Sequence, residues 1–111
     1  MKFVETIPLK DIARFCRRWQ IREFALFGSA TRDDFRPESD IDILITYDPA
    51  SEKGLFEHAQ MQNELSVLFG RKVDLVTRRA IEQTQNQILR DRILKTAQLI
   101  FSEDEAAYGE R

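Results

Sequence analysis

Two aspartates one residue apart, Asp40 and Asp42, sit in the stretch Ser39-Asp40-Ile41-Asp42-Ile43-Leu44-Ile45. Alternation along a strand puts their side chains on one face, with Cα atoms roughly 6–7 Å apart, and the three isoleucines on the other. Aspartate is depleted in strands, and two on one face repel. A divalent cation is the simplest compensation. Asp74 repeats the pattern inside Lys72-Val73-Asp74-Leu75-Val76. With the two strands side by side, three carboxylates face one site. An all-oxygen carboxylate set suits Mg²⁺, which keeps several waters and takes further oxygens from substrate phosphates. A pair of such ions stabilises the attacking and leaving oxygens of an in-line displacement.

A second group precedes the aspartates. Gly28-Ser29 follows the apolar stretch Phe24-Ala25-Leu26-Phe27. A glycine there lets backbone approach a ligand closely. Backbone N–H groups at a helix start, with the Ser29 hydroxyl, make an anion site fit for a triphosphate. Arg32, a turn further on, reaches a phosphate or pairs with a site carboxylate, and Ser39 caps the turn that carries the aspartates. Taken singly, each feature is ordinary: Gly-Ser is a turn, and Asp-x-Asp is a solvent-facing edge. The conjunction, in this order, is what points to phosphoryl chemistry.

The elements that must hold these residues follow from periodicity. Leu9, Ile12, Cys16 and Trp19 recur at helical spacing and predict a helix over 9–20, with Pro8 suited to its start. Residues 23–27 read as a buried strand, and a short helix begins after it. Residues 33–39 form a loop interrupted by Pro37, and 40–46 the second strand. A loop over 47–54 with a cap at Ser51 leads to a helix over 55–69, closed by Gly70. Residues 72–76 form the third strand. The remainder reads as a short helical piece near Ala80 and a helix over 85–101, with Leu89, Ile93, Ala97 and Ile100 on one face; 102–111 is a polar tail. The fold class expected is α/β (α+β), a short mixed sheet covered by helices, in a single domain over 1–111.

The chain has 111 residues and a net charge of −2. That balance lacks the basic footprint of a nucleic-acid groove, so no long nucleic-acid substrate is expected. No apolar run is long enough to span a bilayer, and residues 1–9 lack the apolar run of a signal peptide; the expected location is cytoplasmic. Cys16 and His58 are the only residues of their types, which excludes an intrachain disulfide and a multi-histidine zinc site. Cys16 reads as a core thiol, Trp19 and Phe24 as core aromatics, and His58 as an unexceptional helix residue. Tyr47 and Asp48, just past the aspartate strand, are candidates to border a nucleotide pocket; Tyr108 belongs to the tail.

The pattern Gly28-Ser29-x-x-Arg32 followed by Ser39-Asp40-Ile41-Asp42 resembles the signature of the DNA polymerase β-like nucleotidyltransferase superfamily, and the short chain resembles its minimal, MNT-type branch. The resemblance covers residues 21–101. It implies the nucleotidyltransferase fold, two Mg²⁺ ions on Asp40 and Asp42, and Asp74 as the later-strand carboxylate. It matches Gly28 and Ser29 to the nucleotide-phosphate positions and Arg32 to the motif arginine. It further implies ATP as substrate and a HEPN-domain toxin as partner, silenced by transfer of AMP to a tyrosine hydroxyl. One departure is visible: Asp33 stands where many members have glycine. That motivates an alternative of another class, a binding module that neutralises its partner by occlusion. Transfer to a small molecule of the aminoglycoside type is a third reading, disfavoured because the chain has no extra helical domain to hold such an acceptor.

Overall fold

A computed structural model describes residues 7–28, 40–48, 51 and 54–103. Along the chain run α1 (Leu9–Trp19), β1 (Ile21–Phe27), β2 (Ile41–Tyr47), α2 (Leu55–Phe69), β3 (Val73–Thr77), α3 (Arg78–Gln83), α4 (Gln87–Thr96) and β4 (Gln98–Ser102). The helix expected directly after Gly28 and the loop over 33–39 fall outside the described residues, as do Ser29, Arg32, Ser39 and most of the tail.

The strands form one sheet in the order β3-β2-β1-β4. The β2/β3 pair is parallel, with α2 as the crossover; β1 runs antiparallel to both β2 and β4. The sheet is therefore mixed, as expected. Its ends are set by local backbone. Gln20 adopts a left-handed conformation (φ 60°) that reverses the chain from α1 directly into β1, so β1 begins at Ile21 rather than at Glu23. Gly70 (φ 68°) closes α2 in the same way. The start of α2 is capped differently from the expectation at Ser51: the Gly54 N–H donates to Glu57 Oε1 at 3.0 Å, while the Ser51 hydroxyl donates to the Asp48 carbonyl.

One face of the sheet carries the main core. Ile41, Ile43 and Ile45 of β2 are fully buried there with Phe24 and Leu26 of β1, Ile12 and Cys16 of α1, and Met61 and Leu65 of α2. Burial pushes the Cys16 thiol pKa well up, in keeping with a core role. The helices are also tied to each other: Glu64 of α2 accepts from Trp19 Nε1 at 3.0 Å and pairs with Arg18. The other face has a smaller core, in which α3 and α4 place Ile81 and Ile93 over Ala25, Phe27 and Leu44.

The C-terminal region departs from the sequence expectation. The helix over 85–101 is two elements: α4 stops at Thr96, Ala97 turns extended, and Gln98–Ser102 pairs with β1, with Phe101 opposite Phe24. Helical spacing of Leu89, Ile93, Ala97 and Ile100 was a local signal. An exposed β1 edge and a place in the main core for Ile100 and Phe101 outweigh it. Of the four, Leu89 stays largely exposed, Ile93 is buried under the sheet, and Ile100 is a strand residue. Ser102, expected to open the polar tail, is buried at the end of β4.

Candidate active site

Topology gathers three chain segments at one end of the sheet. Because β3 is parallel to β2, both strands start there; because β1 is antiparallel to β2, it ends there. Asp42 is thus in register with Asp74 on one side and with Phe27 on the other. The main core takes Ile41, Ile43, Val73 and Leu75, so the alternating residues Asp42 and Asp74 share the opposite face. Asp40 stands just before β2, where Ile41 N–H donates to the Lys72 carbonyl at 3.0 Å. Its carboxylate is half-exposed, with Lys72 Nζ 3.9 Å away.

Asp42 is the most constrained of the three. It is half-buried, whereas Asp40 and Asp74 are exposed. Its carboxyl pKa is raised from the ordinary value, first by burial and then by the negative charges of Asp74 and Asp40. Burial and like-charge neighbours both penalise the ionised form. Among the described residues, negative charge is therefore concentrated around Asp42, with Lys72 beside Asp40.

Gly28 completes the arrangement. It follows Phe27 and has φ 65°, and a Cβ built on it would lie 2.6 Å from Asp42 Oδ2. Any side chain there would both strain the backbone and collide with the carboxylate. The backbone of Gly28 thus packs against the Asp42 side chain, which joins the first chemical feature of the sequence to the second.

Among the described residues, no three acidic, histidine or cysteine side chains are drawn together closely enough to enclose one ion. The carboxylates are ranged along a strand pair rather than closed into a cage. An open, all-oxygen set fits Mg²⁺, which is usually held by one or two carboxylates together with substrate phosphates rather than by an all-protein cage.

Tyr47 and Asp48 lie elsewhere. They line a cleft of about 1000 Å³ with Leu55, His58, Thr77 and Arg79, at the far ends of β2 and β3. Five residue steps along the strand, roughly 16 Å, separate Tyr47 from Asp42, so Tyr47 and Asp48 do not border the carboxylates. The Tyr47 hydroxyl is buried with no hydrogen-bond partner among the described residues, and burial, with Glu57 nearby, pushes its pKa up to about 12. Sequence reasoning passed over His58 and Gln62. Their four-residue spacing on α2 was the available signal, and both side chains reach the backbone of Leu75, next to Asp74.

Comparison with known proteins defines the class. The nucleotidyltransferase domain family matches residues 9–100, and the chain belongs to that family. A protein of Methanocaldococcus jannaschii provisionally named as protein adenylyltransferase MJ1217 is 42% identical over 65 residues, 58% of this chain and 63% of that protein. The chain therefore spans less than two thirds of that relative. Protein adenylyltransferase MntA of Thermococcus cleftensis is 31% identical over 79 residues, covering 71% of this chain and 78% of that one. Among solved structures, a toxin–antitoxin complex with AMP-PNP has a similar chain, with a TM-score of 0.68 at 18% identity over 89% of this chain and 77% of that one. A complex of a tri-AMPylated Shewanella oneidensis HEPN toxin with its MNT antitoxin gives 0.60 at 18% identity, over 86% and 71%. These two likenesses show the nucleotidyltransferase fold.

Proposed function

We propose that this protein transfers AMP from ATP to a tyrosine hydroxyl of a HEPN-domain toxin and so acts as its antitoxin. The observation that carries the reading is the meeting of Asp42, Asp74 and the Gly28 backbone at one end of the sheet. Two relatives carrying the name protein adenylyltransferase, and fold neighbours that are chains of toxin–antitoxin complexes, support it.

In this reading Asp40 and Asp42 would hold two Mg²⁺ ions, with Asp74 as a third carboxylate. When bound, the ions neutralise triphosphate charge and stabilise the oxygens that enter and leave at phosphorus. Ser29 and the Gly28 backbone bind the triphosphate, Arg32 meets a phosphate, and Ser39 holds the turn before Asp40. The tyrosine oxygen attacks the α-phosphorus, the bond from that phosphorus to the α–β bridging oxygen breaks, and pyrophosphate leaves. Asp74, more exposed than Asp42, helps remove the phenolic proton, either directly or as a third ligand to a metal. The residues contribute chiefly by positioning and by preorganised charge.

A protection assay separates transfer from occlusion. Cells expressing the toxin with the Asp40→Ala, Asp42→Ala double variant should lose protection although the two proteins still co-purify. Protection at the wild-type level would sink the catalytic reading in favour of occlusion.

A further inference from the structure

The outer edge of β3 is held by two side chains of α2. The Lys72 carbonyl faces β2, since it accepts from Ile41 N–H. Backbone groups alternate along a strand, so the N–H and C=O of Leu75 point to the outer side of β3, and β3 is an edge of the sheet. Both groups are satisfied from α2. Leu75 N–H donates to Gln62 Oε1 at 3.1 Å, and His58 Nε2, 2.9 Å from the Leu75 carbonyl, donates to it. The two side chains are four residues apart and so stack on one helix face. Between and beyond them, Met61 and Leu65 are fully buried in the main core, so the clamp stands on a fixed support.

The N–H that Gln62 holds belongs to the peptide linking Asp74 to Leu75. We propose that His58 and Gln62 are positioning residues for the Asp74 carboxylate. They fix β3 on the side that β2 does not reach, and so set where Asp74 stands beside Asp42. The inference rests on the reading of Asp74 as part of the nucleotidyl-transfer site. The need is physical: β3 has five residues and, among the described residues, one strand neighbour, and the like charge of Asp42 acts on Asp74 across that pairing. The same contacts close the β3 edge to further strands, but edge closure alone would not tie them to metal binding or turnover.

The test uses Gln62→Leu and His58→Leu, which remove the acceptor and the donor, and His58→Gln, whose amide nitrogen reaches the position of Nε2. Three quantities are measured: amide exchange at Leu75, affinity for Mn²⁺ alone by electron paramagnetic resonance, and kcat and KM for ATP in transfer to the toxin. Loss of an outer hydrogen bond that orients a metal ligand weakens metal affinity or activity by about 10–100-fold. Both leucine variants should show faster Leu75 exchange, Mn²⁺ affinity and kcat about tenfold lower, and an unchanged KM; His58→Gln should restore the wild-type values. Wild-type Mn²⁺ affinity and kcat in the leucine variants, with Leu75 exchange accelerated, would reduce the clamp to edge closure and overturn the inference. So would unaccelerated exchange. A wild-type protein that neither binds Mn²⁺ nor transfers AMP would instead overturn the functional reading, and this inference with it. Where the leucine variants do not fold, His58→Gln is compared with His58→Asn, which is a bond too short to reach Leu75. Equal Mn²⁺ affinity in those two overturns the proposal.

Discussion

The two faces of β2 follow opposite rules. On one, Ile41, Ile43 and Ile45 are fully buried between α1, α2 and the sheet. On the other, Asp42 is half-buried beside Asp74 and against Gly28, and only Leu44 joins a small core under α3 and α4. A strand interdigitates residues that stabilise the fold with residues that oppose it, one position apart. The main-core face contributes enough burial to tolerate a raised carboxyl on the other. A site built of like charges is stable only because its scaffold is packed from behind.

Substitutions at neighbouring positions should therefore move activity and stability apart. The largest effect is expected at Asp42. Asp42→Asn should lower AMP transfer on the order of 100-fold or more, by analogy with removal of one preorganised electrostatic group, while the protein melts a few degrees higher. The sign follows from linkage. The folded-state pKa of Asp42 is raised, so between the ordinary carboxylate range and that raised value the native state keeps a proton the unfolded chain has released. Stability then falls as pH rises through that window, and the ionised carboxylate is a net cost above it. Calorimetry across pH should show the wild type and Asp42→Asn melting together below the ordinary carboxylate range and diverging above it, the asparagine variant being the more stable. A lower Tm for the variant at neutral pH would contradict the contrast between the faces.

Ile43→Ala, one residue along, should do the reverse. It should cost about 2–5 kcal/mol, read by denaturant titration, with transfer per folded molecule kept within a few-fold. Gly28→Ala lies between the two, because it strains a left-handed backbone and intrudes on Asp42 Oδ2. It should lose roughly 1 kcal/mol or somewhat more, and transfer should fall about tenfold or more as the carboxylate is displaced. Tyr47→Phe, at the far end of the strand, should be the mildest. It removes a buried hydroxyl that has no partner among the described residues, so stability should stay level or rise by less than about 1 kcal/mol, with transfer unchanged.

Much of this contrast was legible in the sequence because a period of two declares itself wherever one face is apolar. Ile-Asp-Ile and Val-Asp-Leu announce both the strands and the side on which the carboxylates stand. The span of α2 was also legible, since Gly70 marks its end. What could not be read was pairing. The register that sets Asp42 beside Asp74, and the antiparallel return that lays Gly28 against Asp42, depend on which strands are neighbours. The same ignorance hid β4: Ile100 continues a helical pattern locally, and Gln98–Ser102 forms a strand where β1 offers an edge to pair with. His58 and Gln62 look like ordinary helix residues until β3 is placed beneath α2. Tyr47 and Asp48 follow Asp42 closely in sequence yet stand at the other end of β2, since closeness in sequence is distance along an extended chain.

The central proposal is that the carboxylate face transfers a nucleotide to a protein. The most direct measurement is the intact mass of the proposed HEPN toxin partner, co-purified and incubated with this protein, ATP and Mg²⁺, beside the Asp40→Ala, Asp42→Ala variant. The account predicts a gain of one or more AMP units on the partner with the wild type and none with the variant. An unmodified partner in a stable complex with the wild type, under conditions where ATP and Mg²⁺ remain available, would contradict it.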